Sequence, residues 1–363
     1  MNDKSSSTVL VMAGGTGGHV FPGLAVAQQL IEQGVNVEWL GTEKGIESRV
    51  VPMNDIAIHY LPVSGIRGKG LMGAPKAVWN LLRAQFKAIQ IIRQVKPVSV
   101  LGMGGFASGP GGLAAKLLGV SLYIHEQNAV AGTTNRILAK FATRVLQAFP
   151  TAFSQSTATT VGNPIRDDIL KLGARLAVTP KQSTQEDRLK VLILGGSLGA
   201  KALNETVPNA LALFDESKRP NIKHQTGEAH AADVEKFYNE LNVDATVYAF
   251  VDNMSYVYEW ADVVICRAGA LTVSEISIVG LPAIYIPLPH AIDDHQTENA
   301  KVMATDQAGV LLPQSEMTAE RLYELLNRFV MDREYLAQMS KKSQSKGLPF
   351  SSAKVAEICL ENV

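Results

Sequence analysis

Short apolar runs recur along the chain, each followed by glycines or polar residues and then by a stretch with helical spacing. The runs at 8–12, 35–40, 98–103, 122–125, 190–194, 247–250, 263–266 and 283–287 read as strands. Most are apolar without alternation, the pattern of parallel strands covered on both faces. Residues 24–33, 75–93 and 352–362 carry helical spacing. This alternation of strand and helix predicts an α/β fold with doubly wound parallel sheets.

The pattern also restarts. VLVMAGGTGGHVFPG (9–23) and VLILGGSLGAKALNE (191–205) are each a strand, a glycine turn and a helix start. Two similar α/β domains in tandem are therefore expected. The boundary is placed near 162–166, where VGNP supplies turn residues and a proline that disfavours helix.

Composition narrows the class. Of 363 residues, 46% are hydrophobic and 19% charged, enough for large cores and too apolar for disorder. No run approaches the roughly 18 uncharged apolar residues of a membrane span. The opening MNDKSSSTVL lacks the apolar stretch of a secretory signal. Two cysteines, Cys266 and Cys359, give neither a disulfide framework nor zinc spacing, so a reduced cytoplasmic protein is expected.

Net charge is zero, yet residues 1–165 carry 14 Lys and Arg against 7 Asp and Glu. No acid occurs from 56 to 125, a stretch with eight basic residues. Arg67, Lys69, Leu71 and Met72 fall in a glycine-rich loop ahead of the 75–93 helix. On that helix Lys76, Arg83 and Lys87 share a face, and Trp79, Leu82, Phe86 and Ile89 form an apolar stripe. An ordinary solvated helix face explains the spacing alone; the missing acids favour an anionic lipid surface. No nucleic-acid recognition motif is present.

Three glycine turns follow strands. The first holds Gly14, Gly15, Gly17 and Gly18; the second is GMGGFASGPGG (102–112), with Gly104 and Gly105; the third is 195–199. Glycines there let a ligand approach main-chain N–H groups at a helix start, as a diphosphate requires. The spacing departs from G-x-G-x-x-G, so a dinucleotide fingerprint is weak. A further strand, turn and helix reads ADVVICRAGALTVSE (261–275), placing amides of 270–272 at a helix start and Glu275 one turn in, where a carboxylate can accept from a ribose diol. His290, Asp293, Asp294 and His295 do not make a complete ligand set, and neither metal nor cofactor is expected. His19 and Glu126 both lie where a general base could serve, and the residues leave the choice open. A P-loop, a serine elbow and CxxC are all missing.

GGTGGHVFPGLAVA (14–27), GMGGFASGPGG (102–112), HEQNAVAGTTN (125–135), VGNPIR (161–166), GGSLGA (195–200), CRAGALTVSE (266–275) and DDHQTENA (293–300) together resemble the MurG family of bacterial glycosyltransferases. The resemblance covers nearly the whole chain, in order. It implies two Rossmann-like domains facing across a cleft (GT-B), with a C-terminal helix returning to the first. The expected domains are 1–164 with 347–363, facing acceptor and membrane, and 165–346, binding the UDP-sugar.

The implied reaction is inverting transfer of N-acetylglucosamine from UDP-N-acetylglucosamine to the 4-hydroxyl of the muramoyl unit of lipid I. The products are lipid II and UDP, in peptidoglycan synthesis. By the same resemblance, donor contacts fall on Thr16, Gly17, Gly18, Asn128, Arg166, Ser197, Val251, Ala270, Leu271, Thr272, Val273, Ser274, Glu275 and Gln296. Gly14, Gly15, Gly104 and Gly105 are expected on the acceptor's diphosphate. The expected place is the cytoplasmic face of the inner membrane, bound peripherally, with other cell-wall proteins as candidate partners. Phe106 and Ala268 stand where tyrosine and serine occur in the family. Two other readings compete: a UDP-N-acetylglucosamine epimerase of similar build, and a nucleotide-sugar binder without catalysis.

Overall fold

The run Thr8–Met12 (β1) sits inside a parallel sheet, and its side chains enter two different cores. Val9 and Val11 join one apolar cluster, and Leu10 and Met12 the other. Burial on both faces explains why the strand shows no polar alternation. The computed structural model describes residues 7–62, 74–153, 157–180, 187–196, 198–289 and 291–362. They form two units: one runs to Arg166 and resumes at Leu348, and the other is Asp167–Gly347.

The first unit contains α1 (Gly17–Glu32), β2 (Asn36–Gly41), α2 (Glu47–Val50), β3 (Ala57–Tyr60), α3 (Ala74–Val95), β4 (Ser99–Gly102), α4 (Ser108–Leu117), β5 (Ser121–Glu126), α5 (Thr133–Leu138), β6 (Arg144–Gln147) and β7 (Thr159–Thr160). Its seven strands pair in parallel in the order β3-β2-β1-β4-β5-β6-β7. Two helices begin earlier than their hydrophobic spacing suggests, because glycine-rich first turns hide the period. α1 starts at Gly17, not 24, and α4 at Ser108, inside the glycine run 102–112. Gly111 and Gly112 therefore belong to a helix. A Cβ on either would strike the sheet or Leu138, so these glycines serve packing, not ligand approach.

The second unit contains α6 (Asp167–Val178), β8 (Lys190–Leu194), α7 (Lys201–Ala212), β9 (Asn221–Gln225), α8 (Ala231–Glu240), β10 (Thr246–Tyr248), α9 (Met254–Trp260), β11 (Val263–Cys266), α10 (Ala270–Val279), β12 (Ala283–Tyr285), α11 (His295–Ala304), β13 (Val310–Leu311), α12 (Ala319–Met331) and α13 (Arg333–Ser345). Its strands are parallel in the order β10-β9-β8-β11-β12-β13. β9, NIKHQ, is too polar to read as a strand. Its Lys223 lies under the rings of Tyr256 and Trp260, and His224 Nδ1 shares a 2.9 Å hydrogen bond with Tyr238.

The last helix, α14 (Ser351–Cys359), returns to the first unit. Val355, Ala356 and Cys359 join the core beside Val20 and Leu101, and Ser99 Oγ donates to the Cys359 carbonyl at 2.7 Å. Both cysteines are buried and their thiols pushed well up by burial, so neither is a reactive thiolate.

Helix α3 packs through Ala84, Ala88, Ile91 and Ile92. The stripe expected from spacing is mostly outside: Trp79 is 67% and Phe86 69% exposed, with Leu81 and Leu82 exposed beside them. Arg83 and Lys87 are also exposed. Arg67, Lys69, Leu71, Met72 and the side chain of Lys76 lie outside the described residues. Among the described residues, no helix is long and apolar enough to cross a membrane.

One buried histidine in each unit sets an acid limit. Burial lowers His125 to about 4, against the upward pull of its bond to the Gly162 carbonyl and of nearby Glu126. Burial lowers His224 to about 3. Both native values lie below the ordinary 6.5, so on acidification the unfolded chain takes up protons first. Stability should therefore fall from pH 6.5 downward, by up to about 1.4 kcal/mol per pH unit for each ring. Urea denaturation between pH 7 and 5 should show this loss; a flat profile contradicts it.

Candidate functional site

Strands β1, β4 and β5 are neighbours, so the turns leaving their carboxyl ends lie side by side. The β1 turn is Ala13–Gly14–Gly15–Thr16, with Gly15 at φ 93°. Its Gly15 N–H points inward and donates to Glu47 Oε2 at 3.0 Å. Glu47, on α2, is fully buried, and its Oε1 accepts from Thr42 N at 2.9 Å and Thr42 Oγ1 at 2.6 Å. The amide of Gly15, a residue expected on the acceptor's diphosphate, is thus engaged by an internal carboxylate. Gly14 has its carbonyl packed against Gly105.

The β4 turn closes over the β1 turn. Gly104 and Gly105 adopt φ 98° and 82°, open to glycine but strained for other residues. A Cβ on Gly104 would lie 2.9 Å from His19 Cδ2 and 3.0 Å from Nε2, so the imidazole rests on this glycine. His19 Nδ1 is 3.4 Å from Thr16 Oγ1. Ser108 Oγ, the first residue of α4, lies within hydrogen-bond reach of the Met12 and Gly104 carbonyls and ties the two turns together.

Glu126 ends β5 and is 2% exposed. Four donors converge on it. Oε1 accepts from Asn128 N at 3.0 Å and Asn128 Nδ2 at 3.2 Å, and Oε2 from Gly132 N at 3.0 Å and Asn135 Nδ2 at 2.9 Å. The two candidate bases thus differ sharply: Glu126 has its lone pairs occupied in the interior, whereas His19 is partly exposed beside the glycines. Asn163 extends the network by donating to the Gln127 carbonyl at 3.1 Å.

In the second unit the turn after β8 is held differently. Gly196, at φ 85°, donates to Gln225 Oε1 at 3.1 Å and accepts from Gln225 Nε2 at 2.8 Å. Leu198 stands 86% exposed on this turn, and Ser197 lies outside the described residues, as does His290. The turn after β11 begins α10 at Ala270, with Gly269 as N-cap. Its first-turn amides, Ala270 to Thr272, present the positive end of the helix.

Glu275, one turn in, is 4% exposed and accepts from Tyr258 OH at 3.0 Å. Val273 and Ser274 are buried with it. Gln296 Oε1 accepts from Leu288 N at 2.9 Å, and Asn299 Nδ2 donates to the Ala268 carbonyl at 3.1 Å, tying α11 to the two adjacent turns. Arg267 donates to the Ile286 and Pro287 carbonyls and to Gln314, bracing the same edge. Val251 is nearly buried just beyond β10.

Within one unit, then, the structure brings together His19, Thr16, Gly104 and Gly105. In the other it gathers Gly196, the start of α10, Glu275 and Gln296. Thr16, Gly17, Gly18, Asn128 and Arg166, expected on the donor, belong to the first unit. Glu47, Asn135, Gln225 and Tyr258 escaped the sequence reading. A lone acid or amide between elements carries no signature, although Asn135 lay inside a quoted motif. Among the described residues, no three His, Cys, Asp or Glu side chains group closely enough to hold a metal ion.

Residues 9–147 match the glycosyltransferase family 28 N-terminal domain and residues 190–355 its C-terminal domain. A Cellvibrio japonicus protein, UDP-N-acetylglucosamine–N-acetylmuramyl-(pentapeptide) pyrophosphoryl-undecaprenol N-acetylglucosamine transferase, is 51% identical over 98% of both chains. Its namesake from Stutzerimonas stutzeri is 49% identical over 98% of this chain and 99% of its own. The crystal structure of Acinetobacter baumannii MurG is 40% identical, with a TM-score of 0.84 over 97% of this chain and 99% of that one. A UDP-GlcNAc 2-epimerase from Neisseria meningitidis shares the fold at 15% identity and a TM-score of 0.68, over 98% of this chain and all of that one.

Proposed function

We infer that the chain, which belongs to glycosyltransferase family 28, transfers N-acetylglucosamine from UDP-N-acetylglucosamine to lipid I, making lipid II and UDP for peptidoglycan synthesis. The observation that carries this reading is identity of about half the residues, end to end, with transferases named for that reaction. The epimerase reading rests on shared fold alone.

The donor is assigned to the second unit. The start of α10 turns the positive end of its helix to the diphosphate, where the helix dipole favours the charge that grows on departing UDP. Glu275, steadied by Tyr258, takes the ribose diol; Val251 meets the uracil through its backbone; Gln296 and Ser197 complete the contacts. The acceptor is assigned to the first unit, beside His19, Gly104 and Gly105. The muramoyl 4-hydroxyl attacks the anomeric carbon, the bond from that carbon to the diphosphate oxygen breaks with inversion, and His19 receives the hydroxyl proton. Glu126 is assigned to holding the Asn128–Gly132 loop: a carboxylate with four donors on it is a poor candidate for a second proton-transfer role. No step calls on a metal or an organic cofactor.

The exposed Trp79, Leu82 and Phe86, beside Arg83 and Lys87, supply the apolar and cationic contacts of a peripheral membrane site, which suits a lipid-linked acceptor. The proposed location is the cytoplasmic face of the inner membrane.

Incubation with UDP-N-acetylglucosamine and a lipid I analogue should yield disaccharide product and UDP in equal amounts; a new UDP-sugar formed without acceptor contradicts the reading. His19→Ala should lower kcat by about 10²–10⁴-fold with UDP affinity unchanged, and a fall below threefold would remove His19 as base. Reversing Arg83 and Lys87 to Glu should weaken binding to anionic vesicles, most at low salt; unchanged binding counts against this surface.

A further inference from the structure

We propose that Glu47 is a positioning residue of the transfer reaction, holding the turn of residues 13–16 so that Thr16 and His19 stand correctly against Gly104. The proposal rests on the function inferred above.

Three donors from two loops converge on this fully buried carboxylate: Gly15 N at 3.0 Å, Thr42 N at 2.9 Å and Thr42 Oγ1 at 2.6 Å. The chain around it is hollowed to admit it. A Cβ on Gly14 would lie 2.5 Å from Glu47 Oε1, one on Gly41 2.7 Å from its Cγ, and one on Gly45 would run into Oε2. Gly14, which reads in the sequence as part of a ligand cradle, thus joins Gly41 and Gly45 in making room for a side chain of the protein itself. Among the described residues, no Lys, Arg or His forms an ion pair with Glu47. A buried carboxylate without a counter-ion is costly unless its hydrogen bonds are complete, so its geometry is tightly determined.

The second unit shows that closing such a turn needs no charge. There Gly196 is held by neutral Gln225 through two bonds of 3.1 and 2.8 Å. What a carboxylate adds in the first unit is reach: two acceptor oxygens join the β1 turn to the residue following β2. The turn clamped in this way leads within four residues to His19, whose ring rests against Gly104. A shift of about 1 Å at Gly15 would carry the imidazole off line, and misplacement on that scale can cost about 100-fold in rate.

Glu47→Gln keeps the shape but sets an amide N–H toward one of the donors. With UDP-N-acetylglucosamine and a lipid I analogue, its kcat should fall 10- to 100-fold, with both KM values and UDP affinity within twofold of the parent. The Gly15 amide should exchange with solvent at least tenfold faster. Thr42→Val, which removes one bond and keeps the carboxylate, should lower kcat about three- to tenfold and serves if the first variant does not fold. An active parent with kcat unchanged in a folded Glu47→Gln, or in Thr42→Val where that is the variant that folds, overturns the positioning role alone. A parent that forms no disaccharide overturns the functional reading and this proposal with it.

Discussion

A parallel strand that ends in a turn leaves main-chain N–H groups with no ladder partner, and each must find an acceptor. In this protein buried side chains take that role. Glu47 receives Gly15, Glu126 receives Asn128 and Gly132, and Gln225 receives Gly196. Each acceptor comes from outside the turn it holds or spans it from the strand end, so the turn has a fixed shape without a ligand. The start of α10 presents the positive end of its helix, which suits a diphosphate. Inward amides fix the turns, and the helix end is the part suited to a ligand.

That division bears directly on catalysis. Glycosyl transfer needs a base set against a hydroxyl and donors set against a leaving diphosphate, both placed before reaction begins. Turns held by buried acceptors meet this requirement better than loops held by solvent-exposed contacts. It also separates the two buried carboxylates from the imidazole. Glu47 and Glu126 are engaged by internal N–H and O–H donors, whereas His19 keeps an exposed edge.

The fold class was legible because strands buried on both faces leave unbroken apolar runs, as in 8–12 and 263–266. Less legible were helix starts built of glycine, where α1 and α4 lose their period, and β9, whose Lys223, His224 and Gln225 are buried with dedicated partners. Short edge strands such as β3, β7 and β13 carry too few residues for a pattern. Within the site, the turns and His19 were visible as motifs. Glu47 was not, because its meaning lies in three glycines distributed over 14, 41 and 45, which no local window joins. Gly111 and Gly112 misled in the opposite direction: adjacent to a turn in sequence, they pack a helix on a sheet.

The central claim is that the donor's diphosphate binds at the turns and helix start of the second unit while the glycine turn of the first is closed from within. Amide hydrogen exchange with and without saturating UDP tests it most directly. The account predicts slowed exchange at residues 195–200 and 269–275 and little change at Gly15; slowing at 14–16 with none at 195–200 or 269–275 would contradict it.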